Sequence, residues 1–344
     1  MAQPFDPDKL RLTSEALPVA ERVGDVLGTG LGLFSTSENG ALVYGSSEGA
    51  NRELVWVDRA GKQIDPAFLG GGQPDFRLAP DEKRVVFSRA DSGTTDIWSR
   101  DIQRGVTSRL SFDPAQDNMP IWSPDGLRVL WSSNRNGGVF NLFIRSATGT
   151  GQDELLVKMG TPTGWATDWS RDGRFILYTM PGAKTGQDLW IAPQFGDRKP
   201  LPYLQGQYDE QNGVFSPDGH WISYVSNESG KDEVYVQSFP LSGGKWQIST
   251  GGGSEPKWRN DGMELFYVAP DRVLMAAPIR TAGASFEPGV PKRLFPVPFV
   301  TWVVSRDQFA VSNDGNRFLI SRSAGETAAT PITVVLNWTA GLKK

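Results

Sequence analysis

One short turn recurs along the chain and constrains its fold more than any other feature. The clearest copies are Trp122-Ser123-Pro124-Asp125-Gly126 and Phe215-Ser216-Pro217-Asp218-Gly219, each followed by an apolar run. An Asp-Gly pair between apolar runs predicts a β-hairpin, because glycine takes a positive φ without steric cost. The turn occurs seven times, and its copies end at Gly40, Glu82, Gly126, Gly173, Gly219, Gly262 and Gly315. The intervals between these ends are 42, 44, 47, 46, 43 and 53 residues. A hairpin repeated at this period is typical of a β-propeller.

Each repeat contains the pattern of four strands. A short strand such as Pro120 to Trp122 precedes the turn, the strongly apolar Arg128 to Trp131 follows it, and a third strand such as Asn141 to Ile144 comes after a polar loop. The fourth strand is the weakest, as expected of a solvent-facing edge; Lys245 to Ile248 is the best example. Alternation with period two, rich in Val, Ile, Tyr, Phe and Trp, excludes helical repeats of similar length.

The repeats predict one all-β propeller domain over residues 1–344, built of four-stranded antiparallel blades. We expect seven blades, with six as the alternative because of the long interval before Gly315. Their bounds lie near 31–72, 73–116, 117–163, 164–208, 209–253, 254–300 and 301–344. Residues 1–23 resemble the second half of a blade, so a strand near Leu17 to Val23 is expected to complete the last blade, whose third strand is Ile332 to Leu336. This pairing of N-terminal and C-terminal strands would leave no open edge.

Composition narrows the possible functions. A net charge of −4 argues against non-specific binding to nucleic acid, which needs a basic field. No apolar run reaches the roughly 18–20 residues of a membrane span, so no membrane insertion by this chain is expected. The absence of cysteine excludes disulfides and thiolate chemistry. The first residues lack a signal-peptide pattern, which predicts a cytoplasmic location for the chain as written.

The repeats as a whole resemble those of the TolB-type β-propeller family, over nearly the entire chain. More narrowly, Trp221 to Pro240, Gly251 to Trp258 and Ile332 to Trp338 resemble the propeller extension of bacterial serine/threonine protein kinases. The kinase half is absent, since there is neither His-Arg-Asp nor Asp-Phe-Gly. The resemblance implies a sensing or scaffolding module, with a periplasmic or extracellular location if the chain belongs to a membrane kinase.

The sequence predicts no catalytic residue, no metal and no cofactor. The single histidine, His220, directly follows a hairpin turn and is expected to face solvent, and no Gly-x-Ser-x-Gly elbow occurs. Gly28 to Gly32 looks like a phosphate loop but leads into a hairpin instead of a helix, so it is interpreted as an entry segment. Asp113, Asp117 and Asn118 offer oxygens, yet their spacing fits no calcium loop; turn acceptors are the better interpretation.

Residues that repeat at one position in several blades are interpreted as structural. The turn aspartates are expected to accept hydrogen bonds within their own turns; they are Asp125, Asp172, Asp218, Asp261 and Asp314. The aromatic residues before the turns are expected to pack between blades; they are Trp122, Trp169, Phe215 and Trp258.

Residues just before the innermost strands differ from blade to blade, as a binding site at the mouth of the central channel would. The candidate ligand-binding residues are Asp75, Asp117, Asn118, Trp165, Glu210, Gln211, Glu255, Arg306 and Asp307. This mostly acidic ring would suit a small polar or cationic ligand, or a peptide. The alternative is a solvated loop collar without a ligand.

Two functions follow from this ring. The first is a non-catalytic binding or scaffold propeller that recognises a peptide, a protein partner or a small polar ligand. The second is a carboxylate-based hydrolase or lyase at the same mouth. That enzyme would need two carboxylates about 5–9 Å apart, one with its pKa raised by burial.

Overall fold

The structure is a computed structural model. It describes residues 2–3, 5–17, 19–20, 25–26, 31–32, 34–37, 39–45, 52–71, 75–91, 94–182, 186–283, 285–298, 307–323 and 332–339. The chain divides into two compact units: the first combines Met1–Asn51 with Ser323–Lys344, and the second is Arg52–Arg322. None of the described residues belongs to a helix long and apolar enough to cross a bilayer.

Short hairpins make up the beginning of the first unit. Its strands are β1 (Phe5–Asp6), β2 (Arg11–Leu12), β3 (Asp25–Val26), β4 (Leu31–Gly32), β5 (Phe34–Thr36) and β6 (Ala41–Gly45). β1 pairs with β2, β3 with β4 and β5 with β6, all antiparallel. Gly40, the first copy of the repeated turn, joins β5 to β6 at a φ of 77°.

The second unit is built from 25 strands, which follow one another along the chain. They begin with β7 (Arg52–Asp58), β8 (Phe68–Gly71), β9 (Phe76–Leu78), β10 (Arg84–Asp91), β11 (Thr94–Asp101) and β12 (Thr107–Arg109). They continue with β13 (Asp117–Trp122), β14 (Arg128–Asn136), β15 (Val139–Ser146), β16 (Glu154–Thr161), β17 (Trp165–Trp169), β18 (Phe175–Pro181), β19 (Gln187–Pro193) and β20 (Leu201–Leu204). The remaining strands are β21 (Glu210–Phe215), β22 (Trp221–Ser226), β23 (Glu233–Ser238), β24 (Lys245–Gln247), β25 (Ser254–Trp258), β26 (Glu264–Val268), β27 (Val273–Ala282), β28 (Ser285–Pro288), β29 (Lys292–Pro296), β30 (Phe309–Val311) and β31 (Arg317–Ser323).

Six four-stranded sheets, here called blades 1 to 6, organise these strands. Blades 1 to 4 are four consecutive meanders that begin at β9, β13, β17 and β21. Blade 5 consists of β25, β26, β27 and β29, with β28 pairing the far end of β27. Blade 6 has the order β30-β31-β7-β8. The innermost strands β9, β13, β17, β21, β25 and β30 contact their neighbours in a closed ring.

The strand that closes this ring differs from the expected one. β7 stands third in blade 6, whereas β32 (Ile332–Leu336), the expected third strand, pairs with β6 in the first unit. The predicted closing strand near Leu17 to Val23 lies partly outside the described residues, and Leu17 bridges Ala2. Burial explains the exchange: residues 54–57 of β7 are all buried, whereas Ile332, Val334 and Leu336 are exposed.

The blade count and the domain bounds change accordingly. The described part of the second unit shows six blades, and the expected seventh is not confirmed because the Gly40 turn belongs to the first unit. The single domain over 1–344 stays a prediction; the contacts within the chain group it into two compact units. Antiparallel four-stranded blades are as predicted, whereas β7 takes the place of the predicted closing strand.

The hydrophobic core lies between neighbouring blades. One cluster joins Leu130 and Ile144 of blade 2 to Trp169 and Tyr178 of blade 3. Another joins blade 5 to blade 6 through Phe266 and Phe318, whose rings meet edge to face at 5.1 Å. Each blade therefore buries its faces only against its neighbours, as a radial repeat requires.

The repeated turns have the expected chemistry. Asp125 accepts a hydrogen bond from the Ser123 hydroxyl at 2.5 Å and another from the Leu127 amide at 3.0 Å. The Ser123 bond holds the pKa of Asp125 below its ordinary value, and Ser312 does the same for Asp314. The interpretation of the turn aspartates as local acceptors is therefore confirmed.

The divergent copy of the turn, at Glu82, has a separate explanation. Glu82 sits at a φ of 57°, where glycine is favoured. Its carboxylate accepts the amide of Asn313 and pairs with Arg317 at 3.1 Å, both on the hairpin of blade 6. Glu82 thus adopts an unfavourable backbone conformation and in return links the first blade to the last.

Candidate functional site

All six inner strands line a central channel, and its first half is a narrow neck. The neck has about 10 Å³ of free volume, room for about one water molecule. Its charged and polar walls come from β17, β21, β25 and the segments around β9 and before β30; they are Asp75, Arg77, Trp165, Thr167, Asn212, Glu255, Lys257 and Asp307.

β-Bulges aim three side chains into the neck. Met119, Asn212 and Glu255 occupy the same place in β13, β21 and β25, each with a φ between 52° and 54° and each beside a shift in strand register. All three line the neck. Asn212, and not Glu210, is therefore the counterpart of Glu255, because Glu210 lies two residues before the bulge.

The ionic groups of the neck already have partners. Asp307 binds Arg77 at 2.5 Å and also receives the Lys257 ammonium. Arg77 further donates to the carbonyl of Thr167 at 2.8 Å. Glu255 accepts the backbone amide of Gln308 at 2.8 Å and its side-chain amide at 3.1 Å. This half of the channel is a cross-linked plug that ties β9, β17, β25 and the start of β30 together.

Burial shifts the pKa values of two charged groups in this plug, Glu255 and Lys257. It raises the pKa of Glu255 to about 8, against the hydrogen bonds from Gln308, and the nearby Asp307 carboxylate raises it further. Burial also lowers the pKa of Lys257, and Arg77 beside it acts in the same direction. Glu255 is therefore largely protonated at neutral pH.

Substituting Glu255 with glutamine is expected to stabilise the protein in alkaline solution. The folded pKa near 8 lies above the ordinary value of 4.5, so the contribution of Glu255 to stability is complete below pH 4.5 and is lost as pH rises through 8. We expect Glu255→Gln to gain about 4 kcal/mol at pH 9 relative to pH 5. Urea unfolding at both pH values measures this, with exposed Glu287→Gln as the control. Equal effects of Glu255→Gln at the two pH values would contradict the raised pKa.

Only part of the predicted ring meets in the channel. Asp75, Trp165, Glu255 and Asp307 line the neck. Asp117, Asn118, Glu210 and Gln211 do not line either channel cavity, and Arg306 lies outside the described residues.

Two of the acidic residues away from the channel are buried elsewhere. Asp117, fully buried, pairs with Arg135 at 3.1 Å. Burial raises the pKa of Glu210 to about 7, and the neighbouring Asp188 carboxylate raises it further. Sequence alignment on the turn could not distinguish these two positions from channel positions.

The structure also shows the surroundings of the other residues that the sequence singled out. Asp113 accepts the amide of Ala115 at 3.0 Å and faces Arg135, as a loop acceptor would. Among the described residues no group of three or more acidic or histidine side chains could hold a metal. His220 is exposed, as predicted. Residues 28–30 of the glycine-rich segment lie outside the described residues, and Leu31–Gly32 form β4.

A wider cavity fills the other half of the channel, at the end where the repeated turns lie. This cavity, here called the funnel, has a volume of about 500 Å³ and is lined from all six blades. Its aromatic and charged lining comprises Phe76, Arg77, Glu82, Trp122, Asp168, Trp169, Arg171, Phe215, Lys257, Trp258 and Phe309. The residue pattern predicted a site at the opposite mouth, because the turn residues repeat and so suggested a structural role alone.

Trp122 and Trp258 of the funnel are held by the neighbouring blade. The Trp122 indole donates to the carbonyl of Arg77 at 3.1 Å, and the Trp258 indole to that of Val214 at 3.3 Å. Both bonds cross from one blade to the preceding one, which confirms packing between blades. The same two rings line the funnel, so each of these tryptophans belongs both to the packing between blades and to the cavity wall.

Arg171 crosses the funnel near its opening. It belongs to the turn of blade 3, and its guanidinium donates to the backbone carbonyl of Asn260 in blade 5 at 3.0 Å and to the Asn260 side-chain oxygen. Deeper in the wall, Asp168 accepts the amide of Phe215 at 2.8 Å. Burial raises the pKa of Asp168, with the charge of Arg77 opposing. The funnel thus combines apolar rings with a few fixed charges.

Comparison with known proteins supports the fold more than any activity. No family model matches the chain. The uncharacterized peptidase YuxL of Bacillus subtilis is 26% identical over 46% of this chain and 30% of its own length. The tricorn protease homolog 1 of Streptomyces coelicolor is 28% identical over 40% of this chain and 12% of its own length. The chain thus spans less than a third of either relative.

Solved structures resemble the fold over most of the chain. A TolB structure from Agrobacterium tumefaciens matches with a TM-score of 0.59 and 16% identity, over 80% of this chain and 99% of that one. TolB from Acinetobacter baumannii matches with a TM-score of 0.51 and 16% identity, over 82% of this chain and 66% of that one. An oligogalacturonate lyase in complex with manganese matches with a TM-score of 0.51 and 12% identity, over 90% of this chain and 81% of that one. The predicted TolB-type propeller fold is confirmed; the likeness to the kinase extension stays a prediction.

Proposed function

We propose that this chain is a non-catalytic binding propeller whose ligand, a segment of a peptide or protein, enters the funnel from the turn end. The observation that carries the proposal is the funnel itself: about 500 Å³, open, and lined by tryptophan rings from neighbouring blades. Such rings supply most of the contact energy in binding sites. The plugged neck leaves the turn end as the accessible half of the channel.

The expected ring of acidic side chains gives this proposal less support. Of its members in the neck, Asp307 is bound to Arg77 and Lys257 and Glu255 to Gln308, around a space for about one water molecule. A ligand there would have to displace internal ion pairs that are shielded from solvent, which is costly. A funnel ligand leaves those pairs intact.

Narrowing the funnel is expected to abolish binding. Asn313 is exposed and lines the funnel, so Asn313→Trp adds bulk there without entering the core. Peptides selected on the native protein from a random 12-residue phage library should lose about tenfold or more in affinity for this variant, as measured by isothermal titration. Arg280→Ala, at an exposed site on β27, is the matched control. Selected peptides that bind Asn313→Trp as tightly as the native protein would refute a funnel site.

One observation favours a second function, a carboxylate-based hydrolase or lyase. Glu255 and Asp168 both lie in the channel with raised pKa values, as an acid–base pair would. Against this, both Glu255 oxygens accept from Gln308 in a neck with about 10 Å³ of free space, which leaves little access for substrate. Cleavage of oligogalacturonate or of a peptide by the native protein, lost in Glu255→Gln, would favour the enzyme over the binding module.

A further inference from the structure

We propose that the funnel selects ligands that carry a single carboxylate on an apolar body, and that Arg171 binds this carboxylate. The proposal rests on the proposed binding function and adds the chemical class of the ligand. It is the opposite of the cationic ligand that the acidic residues before the inner strands suggested.

The charges of the channel wall leave one cation without a carboxylate partner. Arg77 and Lys257 share Asp307, and the buried Asp168 lies within their electrostatic reach. Glu82 is paired with Arg317. Among the described residues, no carboxylate comes within 4.0 Å of the Arg171 guanidinium, whose hydrogen bonds go to the neutral oxygens of Asn260. The positive charge at the opening therefore belongs to Arg171.

The environment of the Arg171 guanidinium favours replacement of Asn260 by a ligand carboxylate. Partial desolvation lowers the pKa of this guanidinium, with Asp168 only partly offsetting it. A carboxylate matches the planar fork of arginine with two charge-assisted bonds, which are about twice as strong as bonds to neutral carbonyls. A ligand carboxylate thus gains more from Arg171 than Asn260 does. The Asn260 side chain can then turn to water, because it is exposed at the rim.

The rest of the lining defines the body of the ligand. Trp122, Trp169 and Trp258 come from three different blades, and turn prolines such as Pro124 and Pro217 extend the apolar wall. These groups offer no additional fixed charge. A peptide end with an aromatic or aliphatic side chain next to its carboxylate has the required combination, and so does an apolar organic acid.

Three probes that share one ring and differ in charge test the proposal. N-acetylphenylalanine is the anion, N-acetylphenylalaninamide the neutral isostere and 2-phenylethylamine the cation, each titrated into the full chain by calorimetry at low salt. We expect the anion to bind about tenfold more tightly than the amide, and Arg171→Gln to reduce this ratio to about one. Arg280→Gln, at an exposed position near the end of β27, should leave the ratio unchanged. Free peptides against C-terminally amidated ones then distinguish a peptide end from an organic acid.

The outcomes separate this inference from the proposed function. Equal binding of anion and amide, tighter binding of the cation, no binding of the anion, or a ratio that persists in Arg171→Gln overturns the carboxylate assignment. If a neutral or cationic probe binds and Asn313→Trp weakens it, the funnel remains the binding site and only the ligand class is wrong. If binding of every probe and library peptide is insensitive to Asn313→Trp, the proposed function itself fails.

Discussion

Replacing Arg135 with alanine is expected to lower the free energy of unfolding by about 3–5 kcal/mol at pH 7. The guanidinium binds Asp153 at 2.7 Å and Asp117 at 3.1 Å, and it lies 4.2 Å from the ring centre of Phe143. Asp117 has no exposed surface, so its charge would lose its ionic partner without gaining water. Breaking a buried pair from one side costs more than the pair itself contributes.

The pH dependence of this loss is also predicted. Burial already raises the pKa of Asp117, while hydrogen bonds from Ser133 and Ser111 and the charge of Arg135 lower it. Without Arg135 the folded pKa rises further above the ordinary value. The stability contribution of Asp117 is then present below that ordinary value and is lost as pH rises, so the deficit should be smaller at pH 5 than at pH 7.

Urea unfolding of three variants checks the assignment. Arg135→Ala should show the full loss, Arg135→Ala with Asp117→Asn should recover part of it, and exposed Arg280→Ala should show almost none. A loss below 1 kcal/mol at pH 7, or one that does not change between pH 5 and pH 7, would mean that Asp117 is hydrated in the variant.

The sequence predicts the blades well because each blade is a local structure. A hairpin needs only its turn residues and alternating strands, and the turns at Gly126, Gly173 and Gly219 all form with the predicted neighbours. The closing strand depends on competition between segments far apart in the chain. Residues 54–57 and 332–336 are both short runs rich in valine and other apolar residues, so their pattern alone does not say which is buried in blade 6.

The candidate site was harder to predict for two physical reasons. A bulge in each of β13, β21 and β25 directs one residue into the channel, and alignment on the turn gives Asn212 and Glu255 the same position without showing that the bulge selects it over Glu210 or Gln211. The funnel, in addition, is lined by residues that also serve the core. One signal was available: Arg171 and Asn260 occupy a turn position that is proline at Pro124 and Pro217, a departure from the repeat at the funnel rim.

Replacing Trp258 with alanine should also cost about 3–5 kcal/mol, because it removes a tryptophan side chain from one boundary between blades. The indole is 9% exposed and lies in a cluster with Trp221 and Phe286; the Phe286 ring centre is 6.3 Å away. Its N–H also bonds to the carbonyl of Val214 in blade 4. The alanine variant therefore loses both a packed volume and a bond between two blades.

A phenylalanine at position 258 separates these two contributions. Trp258→Phe keeps a ring in the cluster and loses the bond to Val214, so we expect a cost of about 1 kcal/mol in urea unfolding. Because Trp258 also lines the funnel, Trp258→Ala should weaken binding of N-acetylphenylalanine, whereas Trp246→Ala should not, since Trp246 packs in the same cluster but does not line the funnel. Equal binding losses in the two alanine variants would show that the effect arises from general loosening of the boundary and not from contact with the ligand.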